Sequence, residues 1–382
     1  MNKYLTLIAA AALMAACSNE ADQTEEQAVG QPIAVTVDEG SLTRATGEIS
    51  TASKLAEKGF GLFGLYTGKL TYENTSVSSD FMYNQKVIGS ANATGGFDWT
   101  YSPVKYWPNS TDPETGLNYT EYVTFFAYAP YEATPKEDGR CIIGMSDKYD
   151  MGDPWINYRL AENPWSDTNP QVDLMYAIKT PNVGYDNLFV NQTKPLFDSK
   201  LSFRFKHALA CIGDEITIQM DQDLAAYIDG YATITITGLS ITYKNLTTKA
   251  RLVLNSPSGP NWKEIISGEL TTSRTLNINS TYVLSTEPQT ISQGQGLFYI
   301  PLQIKGTDDP AAEITVNYEV KDVGGNIHIG SATTSFPLDL GLEGEKTGIS
   351  LVINKDFDLL HLTYPLDNNS SATEPSYSRQ WK

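Results

Sequence analysis

Histidine performs much of the acid–base and metal chemistry that proteins carry out near neutral pH, and this sequence has only three. They are His207, His328 and His361, and no two of them have the spacing of a two-histidine metal site. His207 stands between Lys206 and Ala208 in an alternating segment, which is typical of a packed or exposed strand residue. The histidines therefore predict neither a catalytic base nor a metal centre.

Other catalytic signatures are also missing from the sequence. It contains no Gly-x-Ser-x-Gly nucleophile elbow and no phosphate-binding P-loop. The Gly-Gln-Gly at 294–296 is typical of a turn, and the Asp-Gln-Asp at 221–223 lacks the later glycine and glutamate of a calcium loop. Aspartate and glutamate together number 45, yet no two of them stand out as a glycosidase pair. We therefore predict that the chain is not an enzyme and binds no cofactor.

One cysteine has a position that predicts chemistry. Residues 5–16 carry no charge and follow Lys3, and this run is shorter than the ~20 residues that span a bilayer. Such a run is typical of a signal peptide, here residues 1–16. Small Ala15 and Ala16 precede Cys17, which a lipoprotein signal peptidase would leave as an acylated N-terminus that binds the membrane. The alternative is a plain secretory signal followed by a chance cysteine.

Composition limits the partners of the chain. The net charge of −18 argues against nucleic acid as a partner. Residues 18–27 are polar and acidic, which predicts a solvated tether behind Cys17 and resembles the surface-export signal of some Gram-negative lipoproteins. A hydrophobic share of 41% makes a packed core feasible. The two remaining cysteines, Cys141 and Cys211, are predicted to be buried thiols because two cysteines do not form a disulfide framework.

The elements that position these residues are predicted to be strands. Apolar residues recur at every second position in many segments, among them 33–37, 122–131, 216–218, 232–243, 314–320 and 349–353. Turn-forming clusters separate them, which favours β-sandwiches, and Gly238 is predicted to mark a bulge. Helical pattern is confined to residues 52–58 and 223–228. We predict an all-β fold of two sandwiches with a boundary near residue 200.

Four further segments follow one another along the chain and carry a resemblance. They are Tyr-Trp-Pro at 106–108 with Val-Thr-Phe-Phe-Ala-Tyr-Ala-Pro-Tyr at 123–131, Val-Asp-Leu-Met-Tyr-Ala at 172–177, Leu-Ser-Phe-Arg-Phe-Lys-His-Ala-Leu-Ala at 201–210, and Leu-Phe-Tyr-Ile-Pro at 297–301. Behind a lipid-attachment signal, this series resembles the fimbrillin-like family, the type V pilins of Gram-negative bacteria. The resemblance implies two transthyretin-like β-sandwich domains in series, here residues 45–200 and 201–382, in a subunit of fimbriae at the outer membrane or cell surface.

The resemblance also implies proteolytic maturation. Stalk and tip subunits of the family are cut after an arginine near the start of the N-terminal domain, and Leu-Thr-Arg-Ala-Thr at 42–46 matches that site. Arg44 and Ala45 would flank the cut, residues 17–44 would form the lipidated leader, and a trypsin-like, arginine-specific protease would be a partner. Arg44 also follows the strand at 33–37 in a connection that a protease can reach. The alternative is an ordinary surface arginine in a flexible leader.

Cleavage would start assembly if residues 33–37 fill a groove in the first sandwich and a strand of another subunit fills the same groove after the cut. Two strand-like segments near the C-terminus have the pattern of such a donor strand. Their inward residues are predicted to be Ile349, Leu351 and Ile353, or Leu360, Leu362 and Tyr364. The polar tail after Leu366 leaves open whether the subunit gives a strand, as a stalk does, or only receives one, as a tip does. Two rivals remain, a lipid-anchored glycan-binding lipoprotein and a secreted hydrolase on β-sandwich domains.

Overall fold

The computed structural model describes most of the chain between residues 30 and 366. The described ranges are 30–38, 51–73, 77–138, 141–165, 170–179, 189–255, 261–264, 269–277, 282–302, 308–340 and 344–366. The predicted lipid site Cys17 and the predicted cleavage site Arg44–Ala45 lie outside these ranges, as does the polar tail 367–382. The lipid site, the cleavage site and the polar tail are therefore predicted from the sequence alone.

The described residues form twenty strands and two short helices, so the predicted all-β class is confirmed. The elements of the first half are β1 (Ala34–Val37), α1 (Ala52–Lys58), β2 (Phe60–Gly68), β3 (Met82–Ala91), β4 (Phe97–Thr100), β5 (Tyr122–Ala129), β6 (Ile142–Met145), β7 (Trp155–Arg159), β8 (Met175–Lys179) and β9 (Lys200–His207). Those of the second half are β10 (Ala210–Met220), α2 (Gln222–Ile228), β11 (Ala232–Thr247), β12 (Lys249–Val253), β13 (Asn261–Glu264), β14 (Glu269–Asn277), β15 (Gln289–Gln293), β16 (Leu297–Tyr299), β17 (Ala311–Asp322), β18 (Ile327–Pro337), β19 (Lys346–Ile353) and β20 (Leu359–Pro365).

Local sequence signals account for the helix ends and for one bulge. The Thr51 side chain accepts a hydrogen bond from the Lys54 amide at 3.2 Å and begins α1, and Asp221 begins α2 in the same way. Both helices stand where the sequence predicts them. The register of β11 against β17 shifts between Ile236 and Gly238, which confirms the predicted bulge at that glycine.

The first sheet has seven strands in the order β1-β9-β8-β5-β2-β3-β4. Strand β1 runs parallel to β9, whereas the other strands of the sheet pair antiparallel. The two outer strands, β1 and β4, lie in contact with each other, so the sheet curls round until its edges meet. A cluster of buried apolar and aromatic residues fills the space that it encloses.

Three further sheets complete the described chain. Their strand orders are β15-β10-β19-β20 with β16 on β10, β14-β11-β17-β18, and β13-β12-β7-β6. The last of these pairs β7 with β12 and so joins residues on the two sides of the predicted boundary near 200. Strand β9 starts at Lys200 and belongs to the first sheet, and β10 follows it after Ala208 and Leu209. The division into two transthyretin-like domains at residue 200 stays a prediction.

The two cysteines and the two helices complete the description of the fold. Cys141 and Cys211 are both buried thiols, as predicted. Within the described ranges, the two helices span only seven residues each, and neither has the length or the apolar run that crossing a bilayer needs.

Candidate functional site

The N-terminal strand β1 lies against the first strand of the 201–210 segment. It pairs with β9 in parallel, so that Ala34 faces Lys200 and Val37 faces Phe203. The Asp38 amide donates to the Phe203 carbonyl at 2.8 Å and extends this ladder by one residue. Strands β1 and β9 are parallel and lie more than 160 residues apart in sequence. No hairpin turn therefore joins them, because a hairpin connects antiparallel strands.

The other flank of β1 is also occupied. The Ile33 amide donates to the Lys105 carbonyl at 2.8 Å, and the Trp107 amide donates to the Gln31 carbonyl at 3.0 Å. The Tyr101 hydroxyl donates to the Ile33 carbonyl at 2.7 Å. Residues 31–38 therefore lie in a slot between β9 on one side and residues 101–107 on the other, which we call the β1 slot.

Three side chains of β1 and its preceding residue point into the core. Ile33, Val35 and Val37 have exposed fractions of 1%, 2% and 6% and belong to the same apolar cluster as Trp107 and Phe203. Burying three such side chains contributes roughly 5–9 kcal/mol, at about 1.5–3 kcal/mol each. Any strand that replaced β1 would need apolar residues at three alternate positions.

The two predicted donor strands, β19 and β20, occupy different positions in their sheet. Strand β19 lies between β10 and β20, and its residues Ile349, Leu351 and Ile353 are fully buried. Strand β20 lies at the edge of that sheet and, among the described strands, pairs only with β19. A strand bonded on both sides cannot leave without opening its sheet, whereas an edge strand can.

Strand β20 is held by few buried contacts. Leu359 is the one buried residue of β20. Leu360 is 39% exposed, and Leu362 and Tyr364, which share the face of Leu360, are half-buried. The Tyr364 hydroxyl donates to Glu215 at 2.7 Å. The His361 ring stacks on another aromatic ring in β18, with centroids 4.4 Å apart. These contacts hold the strand in place, but they bury far less apolar surface than β19 buries.

Acidification should loosen β20 through His361. Burial lowers the pKa of His361, whose Nδ1 lies 2.8 Å from the Thr334 hydroxyl and whose ring stacks on Phe336. Because the detached strand regains an ordinary histidine pKa of about 6.5, docking is favoured above that pH and weakens as the pH falls below it. Amide hydrogen exchange of β20 relative to β19, corrected for intrinsic rates, should rise between about pH 7.5 and about pH 5.

The matched control for this prediction is His361→Phe, which keeps a stacked ring but removes the titrating group. The relative exchange rate of β20 should then be the same at both pH values. An equal pH dependence in wild type and variant would contradict the role given to His361.

Two pairs of titratable side chains are buried elsewhere in the fold. His207 is buried with its Nδ1 2.7 Å from an Asp173 carboxylate oxygen, which makes it a packed residue. Lys346 and Asp214 form a second buried pair with an N–O distance of 3.1 Å. Within the described ranges, no group of three His, Cys, Asp or Glu side chains is placed to hold a metal ion.

The β1 slot, the edge strand β20 and the curled first sheet belong to an all-β protein built of several sheets. Residues 43–341 match the family described as "Fimbrillin-like". Because the match covers more than half of the chain, the chain belongs to the fimbrillin-like family, and the resemblance noted in the sequence is confirmed.

Two relatives illustrate the likeness. The chain is 26% identical over 225 residues to "Fimbrium subunit Fim1C" of Phocaeicola vulgatus, a match that covers 58% of this chain and 52% of the relative. The chain therefore spans about half of the length of the curated relative that it matches. The crystal structure of a fimbrial protein from Bacteroides vulgatus has a TM-score of 0.62 and 20% identity, and the alignment covers 89% of this chain and 100% of the other. This second likeness establishes the fold.

Proposed function

We propose that the chain is a structural subunit of a surface fimbria, exported as a lipoprotein, cleaved after Arg44 and assembled by donor-strand exchange. The observation that carries the proposal is the placement of β1. It fills a slot in the first sheet, and the candidate cleavage site lies within the connection that ties β1 to the rest of the chain. The relatives described as fimbrial agree with this role.

Tethering explains why a cut would start assembly. The resident strand and a donor strand with a similar apolar pattern gain comparable free energy, roughly 5–9 kcal/mol, from the same slot. The resident strand wins before cleavage because its tether gives it an effective concentration of about millimolar. Cleavage after Arg44 removes that advantage, and a donor from another subunit then competes on equal terms.

Strand β20 is the donor that the geometry favours. Its residues Leu360, Leu362 and Tyr364 alternate as Ile33, Val35 and Val37 do. Its position at a sheet edge allows it to leave while β19 stays paired with β10. A chain with both a donor strand and an acceptor slot can act as a stalk subunit, which gives one strand and receives another. We therefore prefer the stalk role to the tip role.

Export and anchoring complete the proposal. Acylation at Cys17 would hold the precursor at the outer membrane through its lipid, and an arginine-specific protease would release residues 45–382 for assembly. The mature part would comprise the two transthyretin-like sandwiches that the resemblance implies. Other fimbrial subunits are the proposed partners, either further copies of this chain or related chains.

Intact-mass analysis of the protein taken from the cell surface tests the proposal against its main rival. A fimbrial subunit should begin at Ala45 and carry no lipid. A glycan-binding lipoprotein that stays anchored should instead begin at an acylated Cys17. Finding only the acylated form on fimbriated cells would contradict the proposed processing.

A further inference from the structure

A group of apolar side chains is exposed where the β1 slot opens. Leu196 and Phe197 are 95% and 84% exposed just before β9, and the Phe197 carbonyl accepts a hydrogen bond from the Gln31 side chain at 3.3 Å. Leu70 and Leu117 are 75% and 71% exposed. We call these four leucine and phenylalanine residues the slot-side cap.

Contacts between neighbouring loops bring the members of the slot-side cap to one region. The Asn109 side chain accepts hydrogen bonds from both Lys194 and Asn118, which joins the loop before β9 to the loop that carries Leu117. The Lys69 ammonium lies 3.0 Å from the centre of the Tyr119 ring, which joins that loop to Leu70. The slot-side cap is therefore a surface built from three loops at one end of the first sheet.

A second exposed apolar group lies in the other half of the chain. Tyr231, Val323, Ile327 and Ile329 are 71%, 78%, 56% and 81% exposed. The Val323 amide donates to the Tyr231 carbonyl at 3.0 Å, and both isoleucines belong to β18, which pairs with β17 in the same hairpin. We call these four residues the hairpin cap.

Strand directions place each cap at the end of its sheet that is remote from the junction between β9 and β10. The slot-side cap adjoins the start of β9, which runs from there towards the junction. The hairpin cap adjoins Ala232, the first residue of β11, which α2 connects to the far end of β10. Clustered exposed apolar side chains on a soluble protein mark interaction surfaces, and here each cap adjoins a strand that exchange would move.

The direction of β20 links the two caps. Strand β19 ends at Ile353, whose carbonyl accepts from the Asp221 amide directly before α2, and β20 starts opposite it at Leu359. The Phe357 ring in the turn at 354–358 stacks on Tyr318, which lies opposite Gly330, the neighbour of Ile329. If β20 leaves its sheet, this turn becomes the hinge, and the strand departs beside the hairpin cap. A strand that replaces β1 in the same direction enters a neighbour's slot beside Gln31 and the slot-side cap.

We propose that the hairpin cap of one copy packs against the slot-side cap of the next copy, around the point where the donor strand crosses. This inference rests on the proposed function, because strand exchange is what brings the caps together. Its partner is a second copy of this chain. The caps would then guide whole subunits to each other and hold them after exchange, in addition to the contacts of the donor strand itself.

Two binding measurements separate the caps from the donor strand. Precursor is cleaved with an arginine-specific protease, and one arm measures binding of a synthetic peptide of residues 358–366, which has no cap. The other arm measures association of whole cleaved subunits by light scattering. The variants are Leu196→Ser with Phe197→Ser, and Val323→Ser with Ile329→Ser. The control is Tyr149→Ser with Met151→Ser, which removes two apolar side chains, 70% and 60% exposed, that belong to neither cap.

Both cap variants should bind the peptide as wild type does but should associate as whole subunits about tenfold or more weakly, which corresponds to about 1.4 kcal/mol. The control should match wild type in both arms. Association of the cap variants equal to that of the control would overturn the cap contact, even if the peptide binds. If the peptide fails to bind wild type, donor exchange through β20 is wrong, and the difference between cap variants and control still decides the cap contact.

Discussion

Replacing Arg44 with alanine should leave a folded precursor whose polymerisation falls about 1,000-fold. The uncut tether keeps β1 at an effective concentration of about millimolar, whereas a donor in a typical assay is present at about micromolar concentration. Stability should change by less than about 0.5 kcal/mol, because the sequence places Arg44 in the leader connection, outside the predicted strands. Fibre growth followed by light scattering, together with a denaturation curve, measures both quantities.

The matched control moves the arginine by one residue. The variant Arg44→Ala with Ala45→Arg keeps an arginine in the same connection, so an arginine-specific protease should cut it and polymerisation should return. A wild-type yield of fibres from Arg44→Ala alone, with the precursor uncut, would contradict the tether mechanism.

Deleting residues 355–382 should abolish self-polymerisation and yield a subunit that stops the growth of fibres. The deletion removes β20 but leaves β19 paired with β10 and leaves the β1 slot intact. The stability loss should exceed the roughly 1.5–3 kcal/mol that burial of Leu359 alone contributes, because the deletion also removes the stacked contacts of Phe357 with Tyr318 and of His361 with Phe336. Such a subunit can receive a donor strand but cannot offer one.

A shorter deletion of residues 367–382 is the control, because it removes the polar tail and keeps β20. It should polymerise as wild type does. When cleaved 355–382 deletion protein is mixed with cleaved wild type, fibres should become shorter as its share rises. Continued growth of the 355–382 deletion on its own would place the donor elsewhere in the chain.

Alternation of apolar residues predicted several of the strands of this fold. The segments at 33–37, 232–243 and 349–353 are strands, and the two short helices stand where the pattern changes. Period-2 patterning is a local property that burial of one face imposes on each strand, so it can be read without knowing the partners. The buried state of Cys141 and Cys211 followed from their number alone.

The pairing of strands that are distant in sequence could not be predicted from the sequence. Nothing in residues 33–37 indicates that they run parallel to β9, or that residues 101–107 form the other wall of their slot, although Tyr106 and Trp107 were noted for the resemblance. The sequence alone could not distinguish β19 from β20 as the donor, because apolar residues alternate in both strands. Only the strand order distinguishes the interior strand from the edge strand.

A disulfide between two subunits would show whether β20 of one copy occupies the β1 slot of the next. In the precursor, Thr36 lies opposite Ser202 of β9, and a donor whose Leu360, Leu362 and Tyr364 take the places of Ile33, Val35 and Val37 would put Thr363 at that position. Adjacent strands bring Cα atoms within the distance that a disulfide bridges. Cleaved Ser202→Cys and Thr363→Cys variants are mixed, assembled and mildly oxidised, and a mixture of Ser202→Cys with Val352→Cys tests β19 in the same way.

Exchange through β20 should give a reducible covalent dimer from Ser202→Cys with Thr363→Cys, formed only after assembly, and none from the mixture with Val352→Cys. Fibres that assemble from the first mixture without this link, while the Val352→Cys mixture becomes cross-linked, would contradict exchange through β20.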